Sequence, residues 1–343
     1  MKNIKIIFII IICSCALSIF IMHRYIRSSN NSKIVVVYVS EDQVFSEPIL
    51  KDFEKKTGIK VKAVYDTEET KSTGVINRLI AEKNNPQADV YWANDPIRAE
   101  VLKQKGVAAP YISANAKDIP DMFKEPYGYW TGFSARARVF IVNKNADHIP
   151  TSIMSYIDPV WKGKAVIANP LFGTTTTEMA AIFTLWGDKK AKKFMWSMKK
   201  NNVAVSTSNG ESADFVASGE YEFSLVDSDD VINRIRQKKP VFIVYPDQGE
   251  NDIGCLIIPN AVVLIKGAPH PKMAKKLIDY LLSKKTERKL AFANCAQIPL
   301  HSGVKMPPEL KPIKNIKIMH INYSAVAKKM IKIQSFLRTW VGI

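Results

Sequence analysis

Residues 135–143 read ARARVFIVN and residues 255–265 read CLIIPNAVVLI. Both are extended runs rich in β-branched and aromatic side chains, and both exceed the roughly five or six residues of an ordinary strand. They are read as two long strands. Between them lies a set of shorter strands, Ala165–Ala168, Tyr221–Val226 and Val241–Val244, alternating with helix-like stretches. Another alternating set precedes them, and after Pro269 the chain returns to helices such as Lys272–Leu282. One lobe inserted within another and joined by two extended crossings accounts for this order. Residues 34–135 and 266–343 are expected to form the first lobe, and 136–265 the inserted second lobe. There is no internal repeat or low-complexity tract.

The opening set supports an α/β class. Lys33–Ser40 is a short β-branched run and reads as a buried strand. Ser46–Thr57 has helical spacing, with Ile49, Leu50 and Phe53 on one face and Gly58 as its stop. Ile59–Tyr65 alternates as a strand. Thr73-Gly74 precedes a second amphipathic helix carrying Val75, Ile76, Leu79 and Ile80. Ala88–Trp92 is a third strand, broken by Asn94-Asp95-Pro96. Such a βαβαβ run implies a mostly parallel sheet with helices on its faces.

Residues 1–33 stand apart. Ile6–Met22 is an uncharged run of 17 residues preceded by Lys2 and Lys5. As a helix it would span about 26 Å, enough for a thin bilayer. It reads as a signal peptide or a membrane anchor. Ile12-Cys13-Ser14-Cys15 resembles a lipobox ending at Cys15, although Ala16–Met22 stays apolar where lipoproteins usually turn polar. The expectation is an extracytoplasmic, periplasmic protein attached to the cytoplasmic membrane by an N-terminal anchor or lipid.

The chain has net charge +17. Residues 1–33 hold five basic groups and no acids, which leaves +12 for the rest. Residues 301–343 contribute eight Lys/Arg against one Glu, a basic tail that suits solvent or an anionic membrane surface. No nucleic-acid motif accompanies the charge, so nucleic acid is not an expected partner. Cys255 and Cys295 are the only cysteines outside the leader, and the sequence leaves open whether they pair.

Residues 165–177, AVIANPLFGTTTT, are the most informative stretch for function. A strand stops at Asn169-Pro170, Gly173 follows, and four threonines open a helix-compatible run. The first turn of a helix offers unpaired N–H groups and a partial positive charge. The stretch reads as a cradle for an anion or an oxygen-rich ligand. The alternative is that one threonine simply caps the helix.

Several phrases, in order, resemble a known family. They are Val35–Ser40, Phe53–Val61, Arg78–Glu82 and Ala88–Trp92. Gly128–Arg138 and Trp161–Pro170 with the threonine loop come next, then Leu225–Asp230, Pro259–Pro271 and Ala296–Leu300. Together they resemble the extracellular solute-binding proteins of ABC importers, in the group related to ferric-iron-binding periplasmic proteins. The resemblance covers roughly residues 34–302. It implies a two-lobed periplasmic-binding-protein fold of type II, a Venus flytrap in which each lobe is a mixed sheet flanked by helices. It implies a monomeric receptor that closes over an iron(III)-type metal with its anion, or over a small anionic solute, and docks on membrane permease subunits. Iron(III) would then be cargo rather than a resident cofactor. One departure bears on the ligand. Ferric-binding relatives carry adjacent tyrosines after the strand that here ends at Val226, whereas this chain has Asp227, Ser228, Asp229 and Asp230. Carboxylates are also hard oxygen donors, so Asp227, Asp229 and Asp230 are candidate metal ligands. The competing reading is an acidic cluster at a helix N-terminus. The same acids admit an organic cation such as a polyamine or thiamine.

In open α/β sheets ligands bind beyond the carboxyl ends of strands. By that rule the first-lobe candidates are Ser40, Glu41, Glu68, Thr73, Trp92 and Asn94. Those of the second lobe are Asn169, Gly173, Thr174, Thr175, Ser208, Asn209 and Asp227. Trp92 sits in an apolar run, where core is the usual fate of a tryptophan; Trp130 does not, and is read as a cleft residue. Arg136 and Arg138 lie two apart on an extended stretch and share one face, placed for an anion or for an inter-lobe salt bridge. No nucleophile elbow, zinc-protease helix or phosphate loop is present, so an enzyme is not expected. A membrane-tethered sensor or accessory binding module that kept the fold without transport is the remaining alternative.

Overall fold

The computed structural model describes residues 33–66 and 73–343. The expected signal or anchor, apart from Lys33, and candidate Glu68 lie outside the described residues. The chain opens with β1 (Ile34–Val39), α1 (Gln43–Thr57), β2 (Lys60–Tyr65), α2 (Thr73–Ala81), β3 (Val90–Ala93) and α3 (Pro96–Gln104). Helix α1 buries Ile49, Leu50 and Phe53 as the spacing predicts. Gly58 ends it in the left-handed region at φ 66°, its N–H bonded to the Glu54 carbonyl. Strand β1 pairs in parallel with both β2 and β3, as the alternation requires.

A short β4 (Ala108–Ala109) leads to β5 (Thr131–Asn143) and β6 (Ala165–Ala168). Then come α4 (Gly173–Lys200), β7 (Ala204–Ser206), α5 (Asn209–Ser218), β8 (Phe223–Asp227) and α6 (Ser228–Arg236). They are followed by β9 (Val241–Val244), β10 (Ile257–Ile265), α7 (Pro271–Leu281) and α8 (Lys284–Phe292). Helices α9 (Tyr323–Lys332) and α10 (Gln334–Val341) close the chain. Gly187, at φ 76°, breaks α4 into two helical parts.

The strands form one sheet in the order β2-β1-β3-β10-β5-β8-β6-β7, with β4 on β10 and β9 on β5. Strand β5 serves both halves. Its Thr131–Ala137 portion runs antiparallel to β10, and its Arg138–Val142 portion antiparallel to β8. Strand β10 also pairs with β3 and β4, so its ladder belongs with the opening strands. It starts two residues later than the sequence suggests. Cys255 instead bridges Ile318, its N–H donating to Lys317 and its carbonyl accepting from Met319.

The period-two alternation of β5 sorts two cores. Phe140 and Val142 face one, with α4, α9 and α10; Phe133, Ala135, Ala137, Val139 and Ile141 face the other, with α7 and α8. Burial on both sheet faces explains why β5 reads as a continuous run rather than a half-polar strand. The C-terminal helices pack on both α3 and α4, and Trp340, fully buried, donates from Nε1 to the Met195 carbonyl at 2.8 Å. Cys255 and Cys295 are separate, buried free thiols, each directed at a backbone carbonyl. Among the described residues no helix is long and apolar enough to cross a membrane.

Candidate ligand cleft

Strands β6, β7 and β8 are parallel, so their carboxyl ends share one edge, and each is followed there by the N-terminus of a helix: α4, α5 and α6. Strands β1, β2 and β3 are likewise parallel and lead into α1, α2 and α3. The two edges meet across β5, which presents Arg136 and Arg138 on the same face as Phe140. Residues at the N-termini of α1, α3, α4 and α6 reach these two arginines.

Arg138 is fully buried and organises the second half. Its Nη1 donates to Asp227 Oδ1 at 3.0 Å and Thr174 Oγ1 at 3.1 Å. Its Nη2 donates to Thr175 Oγ1 at 3.3 Å and to the Leu225 carbonyl at 3.1 Å. Thr174 Oγ1 donates to Asp227 Oδ2 at 2.9 Å, and Asn209 Nδ2 donates to Thr174 Oγ1 at 2.8 Å. Both Asp227 oxygens are therefore engaged. Glu178, one turn along α4, lies 3.7 Å from Arg138 Nε, yet Glu178 Oε2 and Arg138 Nε have no hydrogen-bond partner. Burial pushes Glu178 up to about 7, with Arg138 opposing the shift.

Arg136 serves the first half. Its Nη2 donates to the Asn94 carbonyl, and its Nη1 lies 3.6 Å from Glu41 Oε2. Glu41, also buried, accepts from Gln297 Nε2 at 3.0 Å. Burial opposes the Arg136 charge, but Glu41, Asp227 and Asp229 outweigh it and hold the guanidinium charged. The halves also touch directly: Thr177 Oγ1 donates to Asp95 Oδ2, while Asp95 Oδ1 caps α3 through the Ile97 N–H.

Asp227, Asp229 and Asp230 bring one carboxylate oxygen each within 4.8 Å of one another. Asp229 Oδ1 is shut from solvent and has no hydrogen-bond partner. Burial, then Asp230, raises Asp229 well above the usual carboxylate range. Burial, then Asp227, lifts Asp230 to about 7. Three guanidiniums, Arg136, Arg138 and Arg234 (3.7 Å from Asp230 Oδ1), face Glu41, Asp95, Glu178 and this aspartate cluster, so the six carboxyls still outnumber the cations that pair them.

The structure brings Glu41, Asn94, Arg136, Thr174, Thr175, Asn209, Asp227, Asp229 and Asp230 into this region. It sets others aside. Trp92 is buried, packs on Phe133 and donates to Asn260 Oδ1 at 3.1 Å. Trp130 is buried too, not in the cleft as the sequence suggested: its Nε1 bonds Glu100 Oε2 at 3.0 Å and its ring meets Tyr323. Apolar neighbours brought from the C-terminal helix, invisible in the local sequence, make that position core. Ser40 Oγ bonds Asp66 and the Tyr91 hydroxyl at the end of β1. Asn169 Oδ1 accepts from the Leu171 N–H and Ser208 Oγ from the Glu211 N–H, so both shape local turns. Gly173 is exposed at φ 58° and starts α4; Thr73 starts α2. Sequence reasoning missed Glu178, Thr177, Asp95 and Gln297 as members of the network. The i+4 spacing of Glu178 from Thr174 was the available signal for one of them. A groove of about 670 Å³ lies elsewhere, beside Leu185, Trp186, Ile313 and His320, and none of the predicted residues lines it.

The family model described as bacterial extracellular solute-binding protein matches residues 86–324. The chain belongs to this family. The resemblance read from the sequence is borne out, and the family consists of solute-binding proteins rather than enzymes. A putative 2-aminoethylphosphonate-binding periplasmic protein of Salmonella typhimurium is 27% identical over 291 residues, covering 84% of this chain and 80% of the relative. The iron-bound HitA of Pseudomonas aeruginosa superposes with a TM-score of 0.78 at 21% identity, over 89% of this chain and 99% of that one. AfuA of Actinobacillus pleuropneumoniae, with fructose-6-phosphate bound, superposes with a TM-score of 0.74 at 24% identity, over 90% and 97%. The fold is the two-lobed periplasmic-binding-protein fold, and this solute-binding protein is of the kind that works with the membrane permease of an ABC importer.

Proposed function

We propose that the protein captures, between its two lobes, a solute with a positive centre and hands it to an ABC permease. The observation that carries this reading is the carboxylate cluster of Asp227, Asp229 and Asp230, whose oxygens approach within 4.8 Å while Asp229 Oδ1 lacks any partner. Three acids brought together and partly desolvated raise one another's proton affinity, and a bound cation relieves that cost. Asp227 is committed to Arg138, Thr174 and Asn209, so it positions the cluster while Asp229 and Asp230 face the ligand. The N-terminus of α4, opened by Gly173 and the threonines, would receive a negative group of the same ligand. An iron(III)-type metal with an accompanying anion fits this pairing, with carboxylates replacing the tyrosines that this chain lacks. An ammonium-bearing solute fits as well, and the 2-aminoethylphosphonate named for the 27%-identical relative combines an ammonium with a phosphonate. The lobe boundaries near β5 and β10, a monomeric state and membrane attachment through residues 1–33 belong to the same proposal.

The test is thermal stabilisation of the chelator-treated protein by iron(III) citrate, spermidine, 2-aminoethylphosphonate or inorganic phosphate, with Asp229→Asn alongside. A ligand at about 100 times its Kd should stabilise by about 2.7 kcal/mol. Iron(III) citrate or an ammonium compound should stabilise the wild type, and Asp229→Asn should weaken that response about a hundredfold while keeping its own melting transition. Phosphate stabilising both proteins equally, with no response to any cation, would replace this reading with a purely anionic ligand. Turnover of any stabilising compound would end the receptor reading.

A further inference from the structure

We propose that the exposed face shared by the second part of α4 and by α9–α10 docks on the anionic headgroups of a phospholipid bilayer. The second part of α4 buries Ala191, Phe194, Met195 and Met198 and turns the opposite arc to solvent. Trp196 lies in that arc, 41% exposed. Lys192 and Lys193 precede it by four and three residues, and Lys199 and Lys200 follow at the same spacing. All four surround it on the helix surface and all are exposed. An exposed tryptophan ringed by four lysines is an arrangement suited to a boundary that is apolar on one side and anionic on the other.

The face continues onto the C-terminal helices. Lys192 Nζ sits 5.3 Å over the Phe336 ring, Lys199 Nζ sits 5.3 Å over Trp340, and the Trp196 and Phe336 rings are 6.1 Å apart. Lys328, Lys332 and Arg338 are exposed on those helices, and Ile331 beside them is 58% exposed. Residues 185–200 contain a single acid, Asp188, already bonded to Lys329 at 2.6 Å, and residues 323–343 contain none. The patch is therefore one-signed and carries its own apolar side chains. An acidic protein or a polynucleotide would satisfy the charge alone. A bilayer also receives Trp196 and Ile331, and each Lys or Arg near an anionic surface adds to the attraction.

The experiment uses the full chain with vesicles of phosphatidylcholine alone and vesicles containing about a third phosphatidylglycerol, where basic residues feel the surface potential. Residues 1–33 are identical in every arm, so their own affinity for bilayers cancels between variants. Wild-type protein should favour the anionic vesicles, losing that preference at high salt. Lys193→Glu combined with Lys200→Glu should lower the partition at least about tenfold. Brominated phosphatidylglycerol should quench the emission of Trp196, and the loss should vanish in Trp196→Phe. Melting transitions check folding, and stabilisation by whichever of iron(III) citrate, spermidine or 2-aminoethylphosphonate stabilises the wild type checks that the cleft is untouched. Equal partition of wild type and the double glutamate variant, or quenching that survives in Trp196→Phe, overturns the proposal. So does retention by an acidic protein or polynucleotide with no preference for anionic vesicles.

Discussion

Glu178 shows how one residue can tie pH to stability here. It is 2% exposed, its nearest cation is Arg138, and burial carries its pKa from an ordinary carboxylate value up to about 7. A raised folded-state pKa means that the native protein binds a proton the unfolded chain releases. The resulting stability is present below about pH 4, and it fades as pH rises toward 7. Glu178→Gln should therefore flatten the fall in stability between pH 5 and 8 by about 2 kcal/mol, read from urea denaturation at each pH. An unchanged slope would show that Glu178 stays ionised against Arg138. This residue also marks where sequence reading stops. The helix start at Gly173 was legible because glycine and hydroxyls before an apolar helix have local meaning. The partner of Glu178 is 40 positions away on β5, and only the folded sheet brings Arg138 beside Asp227 and Thr174. Trp130 fails for the same reason: its burial depends on Tyr323, contributed by a helix near the end of the chain.

At the scale of elements, strand and helix identities were readable because local causes fixed them. Gly58 stops α1, Asn94-Asp95-Pro96 ends β3 and starts α3, and β-branched runs gave β1, β6 and β9 at or near their observed bounds. The ends of the long strands were less legible. Strand β5 begins at Thr131, and β10 begins only at Ile257, since Cys255 pairs with a distant segment at Ile318. Gly254 makes that detour possible. At φ 83° it lies in the left-handed region, and a Cβ there would come within 2.6 Å of the Ile318 carbonyl carbon. Gly58 has a similar φ of 66° but open space around it. Gly58→Ala should cost about 1 kcal/mol from conformation alone, whereas Gly254→Ala should cost about 3 kcal/mol because backbone must also move. Urea titrations of the two variants separate the effects. Equal losses would mean that the segment around Ile318 yields without strain.

Capture between two lobes, as proposed, requires them to move relative to one another about the shared β5, and the residues that couple them then decide how easily the molecule closes. Thr177, the fifth residue of α4, donates to Asp95, which also caps α3. This bond joins a helix of the proposed second lobe to a helix of the first beside the proposed ligand site, whereas the backbone of β5 runs unbroken through both and persists in any arrangement. Parting of the lobes at the cleft would break the Thr177–Asp95 bond, and its contribution then belongs to the closed form. Valine keeps the shape of threonine and removes the donor, leaving Asp95 one partner short in a buried place. A net hydrogen bond to a charged group is worth about 1.5–3 kcal/mol. Since apparent affinity scales with the closed population, Thr177→Val should weaken ligand binding by about ten- to a hundredfold. Titration calorimetry with iron(III) citrate or the ammonium ligand that stabilises the wild type measures that loss. Small-angle scattering should show the variant keeping its dimensions at a ligand concentration that compacts the wild type. Binding and compaction identical to wild type would place the coupling elsewhere, at Arg136 between Glu41 and the Asn94 carbonyl or where α9 and α10 pack on α4.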